Sequence, residues 1–262
     1  MKNVLSIAGV DPSGGAGIIA DLKVFIAHDV FAMGVVTATT AQNTQGLFGM
    51  QLIDTKMIED GIKRIFDDIR VDAIKIGVVP SVEIIKTVAN TLKSIPTLPP
   101  VVLDPVMSCK NGDIWLEENS QKTLVSELFP ISYVITPNLY EAQQILQTKL
   151  TSEDDFKDAC INLTKFGAKN IYLKAGDVNG ISLDVFYDGK DFELLKTPRI
   201  NSNHTHGTGC SLSSAIAANL ANGESVKNAC KKAKEYITGA ISHPAMIGSG
   251  CNPIDHFYKN HI

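Results

Sequence analysis

The feature that most constrains the fold of this 262-residue chain is a repeated alternation of short apolar runs with amphipathic segments of helical period. The apolar runs have the length of buried strands. They lie at residues 4–9, 35–40, 73–76, 101–104, 133–135 and 171–174. Repeated strand–helix units predict an α/β fold, in which helices cover both faces of a mostly parallel sheet. Residues 185–194 break the rhythm, because their alternation around Asp188-Gly189 predicts a β-hairpin.

Length and composition limit the classes of protein to consider. We expect one domain spanning residues 1–262, since α/β chains of this length commonly form a single unit. The net charge of −4 and the pI near 5.9 argue against nucleic acid or an anionic membrane as a partner. No apolar run is long enough to span a bilayer, and the five cysteines are widely spaced without a C-x-x-C pair. We therefore expect a cytoplasmic protein in a reducing compartment.

Ligands of such sheets bind at the edge formed by the carboxyl ends of the strands. The segments that follow the predicted strands should therefore meet at one rim. These segments are residues 9–11, 40–44, 77–78, 104–107, 137–141 and 174–177.

A glycine-rich turn at residues 203–209 leads into a helix with apolar residues at helical spacing. The first N–H groups of a helix have no intrahelical acceptor, and the helix dipole adds positive charge, so an anion is stabilised there. Gly207, Thr208 and Gly209 thus form a candidate phosphate site, although the two glycines could instead make only a tight turn. Cys210 lies in the first helical turn, where the same groups would lower its pKa. The alternative is a small buried apolar side chain.

Four other side chains on the predicted rim could carry chemistry. Asp104 and Glu141 offer the oxygen ligands that Mg²⁺ prefers, although either could be a solvated or helix-capping carboxylate. Lys174 could neutralise charge on a transferring phosphoryl group, or could be solvated at a strand end. The amide of Gln42 presents a donor beside an acceptor, which matches a ring nitrogen next to an exocyclic amino group.

Two further patterns offer competing interpretations. Residues 15–20 satisfy the dinucleotide pattern G-x-G-x-x-A, but the strand at residues 35–40 does not end in the acidic residue that would hold a ribose. His204 and His206 could form a zinc site with Cys210, but a fourth ligand is lacking.

Considered together and in order, these segments resemble the ribokinase-like superfamily. Within it they are most similar to the hydroxymethylpyrimidine and hydroxymethylpyrimidine-phosphate kinases of thiamine biosynthesis. The resemblance covers nearly the whole chain. The motifs that carry it are residues 8–17 with 20–23, 40–44, 103–107, 136–141 and 206–212.

The resemblance implies a three-layer α/β/α fold with a small β lid and a homodimeric assembly. It implies that ATP, with Mg²⁺, phosphorylates 4-amino-5-hydroxymethyl-2-methylpyrimidine and then its monophosphate to the diphosphate. Cys210 would replace the aspartate base of most ribokinase-like enzymes. By the same resemblance, Gln42 would hydrogen-bond the pyrimidine ring nitrogen and amino group, Val78 and Val106 would pack on the ring, and Asp21 would contact the substrate. The backbone of residues 207–210 would bind phosphate together with Lys174. Mg²⁺ would lie near Asp104 and Glu141.

Three segments depart from the family pattern. Val78 stands where the family more often has Met, and the loop at residues 108–113 is atypical. The tail at residues 249–256 lacks the Gly at position 251 or 252 and the Asn at position 255 that the family usually carries. The alternatives left open are a pyridoxal kinase, an enzyme that accepts both alcohols, and a catalytically silent protein that binds a thiamine precursor. Gln42 favours the aminopyrimidine, because pyridoxal lacks the paired ring nitrogen and amine.

Overall fold

The computed structural model describes residues 1–107 and 116–261, so the atypical loop at 108–113 lies outside the described residues. Within those ranges the strands form one sheet in the order β3-β2-β1-β4-β5-β6-β7-β8-β9. Neighbours from β2 to β7 pair in parallel, while β3, β8 and β9 are antiparallel to their neighbours. The predicted mostly parallel sheet is confirmed. The strands are β1 (Lys2–Val10), β2 (Val30–Asn43), β3 (Gly46–Leu52), β4 (Ala73–Ile76), β5 (Val101–Leu103), β6 (Val134–Ile135), β7 (Asn170–Val178), β8 (Ile181–Tyr187) and β9 (Phe192–Pro198).

Helices cover both faces of the sheet, which confirms the three-layer arrangement. In β1, alternate side chains point to opposite faces, so Leu5 and Ile7 join one apolar core and Val4 joins the other. The first core packs beneath α2 to α6, and the second packs beneath α1, α7 and α8. The helices are α1 (Gly17–Ala27), α2 (Thr55–Asp68), α3 (Val82–Lys93), α4 (Glu118–Leu128), α5 (Leu139–Leu146), α6 (Glu153–Thr164), α7 (Thr208–Ala221) and α8 (Val226–Ser242).

The hairpin of β2 and β3 projects beyond the carboxyl edge of the sheet. The last pair between β1 and β2 joins Val10 to Thr39, so the end of β2 pairs only with β3. The sequence predicted β2 only over residues 35–40 and did not predict β3. Gly46 and Gly49 interrupt its pattern, and its side chains are exposed or half-buried, so no apolar alternation marks the strand. This hairpin corresponds to the small β lid that the family resemblance implies.

The predicted hairpin at residues 185–194 is confirmed as β8 and β9. The carboxylate of Asp188 accepts hydrogen bonds from the backbone N–H groups of Lys190 and Asp191, and Gly189 has φ of +92°. Among the helices of residues 1–107 and 116–261, we find none with both the length and the apolar character needed to cross a membrane.

Candidate active site

The six segments that follow the predicted strands line one cavity of about 510 Å³ at the carboxyl edge of the sheet. The predicted convergence is confirmed, because every segment contributes at least one lining residue. The β2–β3 hairpin, the glycine turn before α7 and residues 250–251 complete the wall. The predicted site residues on this wall are Gln42, Val78, Asp104, Val106, Glu141, Lys174, Gly207, Thr208, Gly209 and Cys210.

The glycine turn delivers the N-terminus of α7 to the cavity. Gly207 is the N-cap of α7 with φ of +76°, and a Cβ atom there would lie 1.8 Å from the carbonyl oxygen of Gly15. Only glycine fits this position. At Gly209, in contrast, an added Cβ would lie 3.3 Å from Lys174 Nζ and 3.5 Å from Asp104 Oδ2. Gly209 therefore faces the charged side of the cavity, and no side chain caps this helix start.

Lys174 and Asp104 form an ion pair on the cavity wall. Lys174 Nζ donates to Asp104 Oδ1 at 2.9 Å, and the hydroxyl of Thr136 donates to the same oxygen at 3.1 Å. Burial alone would lower the pKa of Lys174, but Asp104 and Glu141 more than offset it, so the pKa is raised. The cavity thus holds a fixed positive charge close to Gly209.

Glu141 caps a helix, and its pKa is changed by its surroundings. Its Oε2 accepts from the backbone N–H of Asn138 at 2.8 Å, while Asn138 Oδ1 accepts from the N–H of Glu141, so the two form a capping box at the start of α5. The capping alternative is therefore confirmed for Glu141, and Asn138 is the N-cap residue of α5. Burial and the neighbouring Asp104 carboxylate raise the pKa of Glu141 to about 7, despite the opposing effect of Lys174.

The chemistry of Asp104 and Glu141 fits a magnesium ion. Mg²⁺ in phosphoryl-transfer sites is held by one or two carboxylates together with waters and substrate phosphates. Two buried carboxylates lie on the wall of this cavity. Burial and the neighbouring Asp104 carboxylate raise the pKa of Glu141, and a cation would stabilise both negative charges. Within the described ranges no group of three or more His, Cys, Asp and Glu side chains could hold a metal ion, so the zinc alternative receives no support.

Cys210 lies in the first turn of α7 and lines the cavity, but the expected lowering of its pKa is wrong. Burial raises the pKa to about 11. The ammonium group of Lys75 favours the thiolate, as does a hydrogen bond from the backbone of Gly17, but the carboxylates of Asp21 and Asp104 oppose them. The sequence argument considered the helix start alone and could not include these buried neighbours.

Asp21 requires a correction, because its side chain is fully buried and does not line the cavity. Both of its oxygens contact Lys75 Nζ, at 2.8 and 2.9 Å. Its carboxylate also accepts from the hydroxyls of Ser6 at 2.6 Å and Ser214 at 2.8 Å. Asp21 therefore joins β1, β4 and α7 inside the protein, and we assign it no direct contact with a ligand.

His206 and Asp11 form a pair on the cavity wall that the sequence argument did not predict, because it considered His206 only as a zinc ligand and Asp11 only as part of the rim. His206 Nε2 lies 2.7 Å from Asp11 Oδ2 and 3.5 Å from Gln42 Nε2. Asp11 also accepts from the hydroxyl and backbone N–H of Ser13 and from the N–H of Ala16. Burial would raise the pKa of Asp11, but the hydrogen bonds from His206 and Ser13 outweigh it and lower the pKa. The position of His206 directly before Gly207 was the available signal.

The tail after α8 contacts both the hairpin and the glycine turn. The N–H of Cys251 donates to the carbonyl oxygen of Thr44 at 2.8 Å, and the N–H of His206 donates to the carbonyl oxygen of Asn252 at 3.2 Å. Asn252 is buried. Residues 250–252 thus hold the lid and the helix start in one arrangement.

Comparison with known proteins gives consistent results. The sequence profile of the family described as phosphomethylpyrimidine kinase matches residues 11–255. A hydroxymethylpyrimidine/phosphomethylpyrimidine kinase of Streptomyces coelicolor is 40% identical over 97% of this chain and 93% of its own. The crystal structure of an ADP complex of Bacillus subtilis pyridoxal kinase superposes with a TM-score of 0.91 at 36% identity, covering 100% of both chains. The phosphomethylpyrimidine kinase of Clostridium difficile gives 0.82 at 38%, covering 92% of this chain and 100% of that one.

Proposed function

The chain belongs to the phosphomethylpyrimidine kinase family, whose fold is ribokinase-like, and we propose that it is an ATP-dependent kinase of hydroxymethylpyrimidine and of its monophosphate. In the first reaction the hydroxymethyl oxygen attacks the γ-phosphorus of ATP. A new O–P bond forms as the bond to the bridging oxygen of ADP breaks. In the second reaction the acceptor is a phosphate oxygen of the monophosphate.

The observation that carries this proposal is the position of Gly209 beside Lys174 and Asp104 at an uncapped helix start. Phosphoryl transfer requires little covalent chemistry from the protein, so catalysis comes mainly from positioning and charge stabilisation. The N–H groups at the start of α7 would bind the transferring phosphoryl group, and the Lys174 ammonium would stabilise its equatorial oxygens.

Cys210 is the proposed proton acceptor for the alcohol. With a pKa of about 11 the thiol is mostly protonated at neutral pH, so its thiolate is a strong but scarce base. Because the transition state of phosphoryl transfer is loose, the proton leaves late and the base contributes less than the phosphate contacts do. Lys75 and the Gly17 backbone are the groups that favour the thiolate.

Asp104 and Glu141 are the proposed magnesium ligands. When bound, the ion neutralises phosphate charge and orients the donor phosphates. These two residues hold carboxylate oxygens at the cavity wall. Lys174 donates a hydrogen bond to Asp104, and Asn138 orients Glu141 through the capping box.

Gln42, Val78 and Val106 form the proposed site for the pyrimidine ring. Gln42 would read the ring nitrogen and the adjacent amino group, while Val78 and Val106 would pack on the ring faces. All three line the same cavity as Gly209 and Cys210. A cavity of about 510 Å³ lies within the usual range for sites of small molecules.

A second candidate activity is phosphorylation of pyridoxal, either alone or beside the pyrimidine. It is favoured by the likeness to pyridoxal kinases, since the structure from Bacillus subtilis superposes over the full length of the chain. Gln42 argues for the pyrimidine, because pyridoxal offers no paired ring nitrogen and amine.

Mass spectrometry of the products formed from hydroxymethylpyrimidine and Mg·ATP tests the proposal. The expected products are the monophosphate and then the diphosphate, with one ADP released at each step. Pyridoxal is assayed in parallel, and the ratio of the two kcat/KM values decides between the two candidates. The proposal fails if neither the pyrimidine nor its monophosphate gains a phosphate.

The family resemblance further suggests a homodimer. In the described part of the chain β3 is an edge strand with Phe48 71% exposed, which a partner subunit would cover. Light scattering after size exclusion should give about twice the mass of one chain.

A further inference from the structure

The amide group of Gln42 lies between two fixed side chains. On one side the hydroxyl of Thr40 is 3.3 Å from the amide oxygen of Gln42 and 2.9 Å from the carbonyl oxygen of Val10. On the other side Nε2 of His206 is 3.5 Å from the amide nitrogen of Gln42 and 2.7 Å from Oδ2 of Asp11. The protons available at these two contacts decide which way the amide is turned.

The contact with Thr40 requires an N–H of Gln42. A hydroxyl group has one proton, and the carbonyl oxygen of Val10 can only accept, so the Thr40 proton is used in the bond to Val10. The Thr40 oxygen can then only accept from its second neighbour. The amide nitrogen of Gln42 therefore faces Thr40. A 180° rotation of the amide group relates this orientation to the one that places the amide oxygen at Thr40.

The contact with His206 favours the oxygen of Gln42 over its nitrogen. Hydrogen bonds to Asp11 lower its pKa, so this carboxylate is ionised at neutral pH and can only accept. Nε2 of His206 must then carry the proton that it donates to Asp11, so it cannot accept from an amide N–H. Because this proton is used in the bond to Asp11, the 3.5 Å contact with Gln42 is electrostatic: the positive N–H edge of the ring attracts an amide oxygen and repels an amide N–H. Both contacts thus favour the same orientation, with the amide nitrogen toward Thr40 and the amide oxygen toward His206.

We infer that His206 and Thr40 are positioning residues that fix the amide orientation of Gln42 and thereby select the order of donor and acceptor on the ligand ring. This inference rests on the proposed function in that it takes a pyrimidine as the ligand of Gln42. Asp11 holds His206, and Val10 holds Thr40, so the arrangement links the loop before α1 to the hairpin and to the glycine turn.

A pinned amide distinguishes two pyrimidines that differ by one exocyclic group. The 4-amino compound presents an N–H donor beside an unprotonated ring nitrogen. In its 4-oxo analogue the exocyclic oxygen accepts and the adjacent ring nitrogen carries a proton, so the pattern is reversed. An amide free to turn by 180° would bind either pattern, whereas a fixed amide meets the analogue with two mismatched contacts.

The test measures the dissociation constants of both pyrimidines by calorimetry, with kcat/KM measured alongside. For the parent protein we expect about 100-fold tighter binding of the amino compound. The substitution His206→Leu should reduce this ratio about tenfold, and Thr40→Val should reduce it severalfold. The matched control is His243→Leu, because the exposed ring of His243 contacts the carbonyl oxygen of Gly239 at the end of α8 and does not line the cavity. It should keep the parent ratio.

Each result has a distinct meaning. If His206→Leu and Thr40→Val both fold and keep the parent ratio, the inference is overturned, and Thr40→Val alone decides if the His206 variant does not fold. Equal affinity of the parent protein for both pyrimidines also overturns it. A parent protein that discriminates but transfers no phosphate from Mg·ATP supports the inference and refutes the proposed function.

Discussion

Two glycine-rich turns start helices at the cavity, and they use their glycines differently. Before α1, a Cβ atom at Gly15 would lie 2.5 Å from His206, and one at Gly17 would lie 2.3 Å from the carbonyl oxygen of Gly9. Neighbouring atoms of the protein leave no room for a side chain at either glycine. At the start of α7, Gly207 is likewise enclosed by Gly15. A Cβ atom at Gly209 would instead meet the ends of two cavity side chains, Lys174 at 3.3 Å and Asp104 at 3.5 Å.

The comparison shows that a glycine pattern alone does not distinguish packing from ligand binding. Both turns carry a G-x-G sequence, and the first even satisfies the dinucleotide-binding pattern G-x-G-x-x-A. What separates them is the environment of the missing side chain. Replacing a glycine that is enclosed by protein atoms should affect folding, whereas replacing a glycine that faces a cavity should affect ligand binding.

The largest expected effect is on turnover after Gly209→Ala. A methyl group beside Lys174 would occupy the space proposed for phosphate oxygens, so kcat/KM should fall about 1,000-fold. Stability should be unchanged or slightly raised, because alanine is the better helix former. Steady-state kinetics and a thermal melt measure the two effects.

The matched control for Gly209→Ala is Gly61→Ala in α2. An added Cβ there meets only Val35, at 3.4 Å, and the position is remote from the cavity. This variant should keep the parent kcat/KM. Parent activity in Gly209→Ala would remove the main support for the phosphate site.

The next largest effect should be on stability after Gly17→Ala. Gly17 has φ of +57°, and the added methyl would overlap the carbonyl oxygen of Gly9. We expect a loss of about 3 kcal/mol in the free energy of unfolding, or about 10 °C in Tm. Denaturant titration measures this loss. Unaltered stability would contradict the assignment of this turn to internal packing.

Replacing the proposed base, Cys210→Ala, should reduce kcat about 100-fold and leave KM for ATP nearly unchanged. The effect should be no larger than that of Gly209→Ala, because proton removal is late. Cys160→Ala removes a buried thiol from α6, on the other face of the sheet from α7, and should keep the parent kcat. If Cys210→Ala turned over at the parent rate, the base would have to be another group.

The smallest expected effect is on the pH dependence of stability, and it comes from the contact between α7 and the tail after α8. Nε2 of His256 lies 3.1 Å from the hydroxyl of Ser211 in the first turn of α7, and burial lowers the pKa of His256 to about 4. The unfolded chain, with an ordinary histidine pKa near 6.5, binds this proton first as the pH falls. Stability from neutral His256 is therefore complete above about pH 6.5 and is lost as the pH falls toward 4.

His256→Gln should remove this part of the pH dependence. Between pH 7 and pH 4 the parent protein should lose about 2 kcal/mol more unfolding free energy than the variant does. Denaturant titrations at the two pH values measure the difference. Equal losses in both proteins would show that His256 is not the titrating group.

The fold was largely predictable because its strands and helices carry strong apolar periodicity. Parallel topology then determined which segments share an edge, so the convergence of Gln42, Asp104 and Lys174 followed from their places after strands. The β3 strand was missed because an exposed hairpin needs no apolar alternation. Such a strand is specified by its pairing with β2 and not by burial.

The site was less predictable where it depends on contacts between distant segments. The pairing of Asp21 with Lys75 and the bond of His206 to Asp11 join residues 54 and 195 positions apart. The pKa of Cys210 depends on carboxylates that are close only in the folded protein. Local sequence gives the residue types at a site, whereas partners and protonation states follow from packing.

The contacts between residues 250–252, the hairpin and the glycine turn affect when the cavity can exist during synthesis. Its wall draws on residues from Gly9 to Cys251, so a growing polypeptide still held by the ribosome near position 240 would already possess every strand and yet lack a finished pocket. The nascent chain would then gain affinity for its ligand in one late step, after the sheet has formed and only when residues 250–252 leave the exit tunnel.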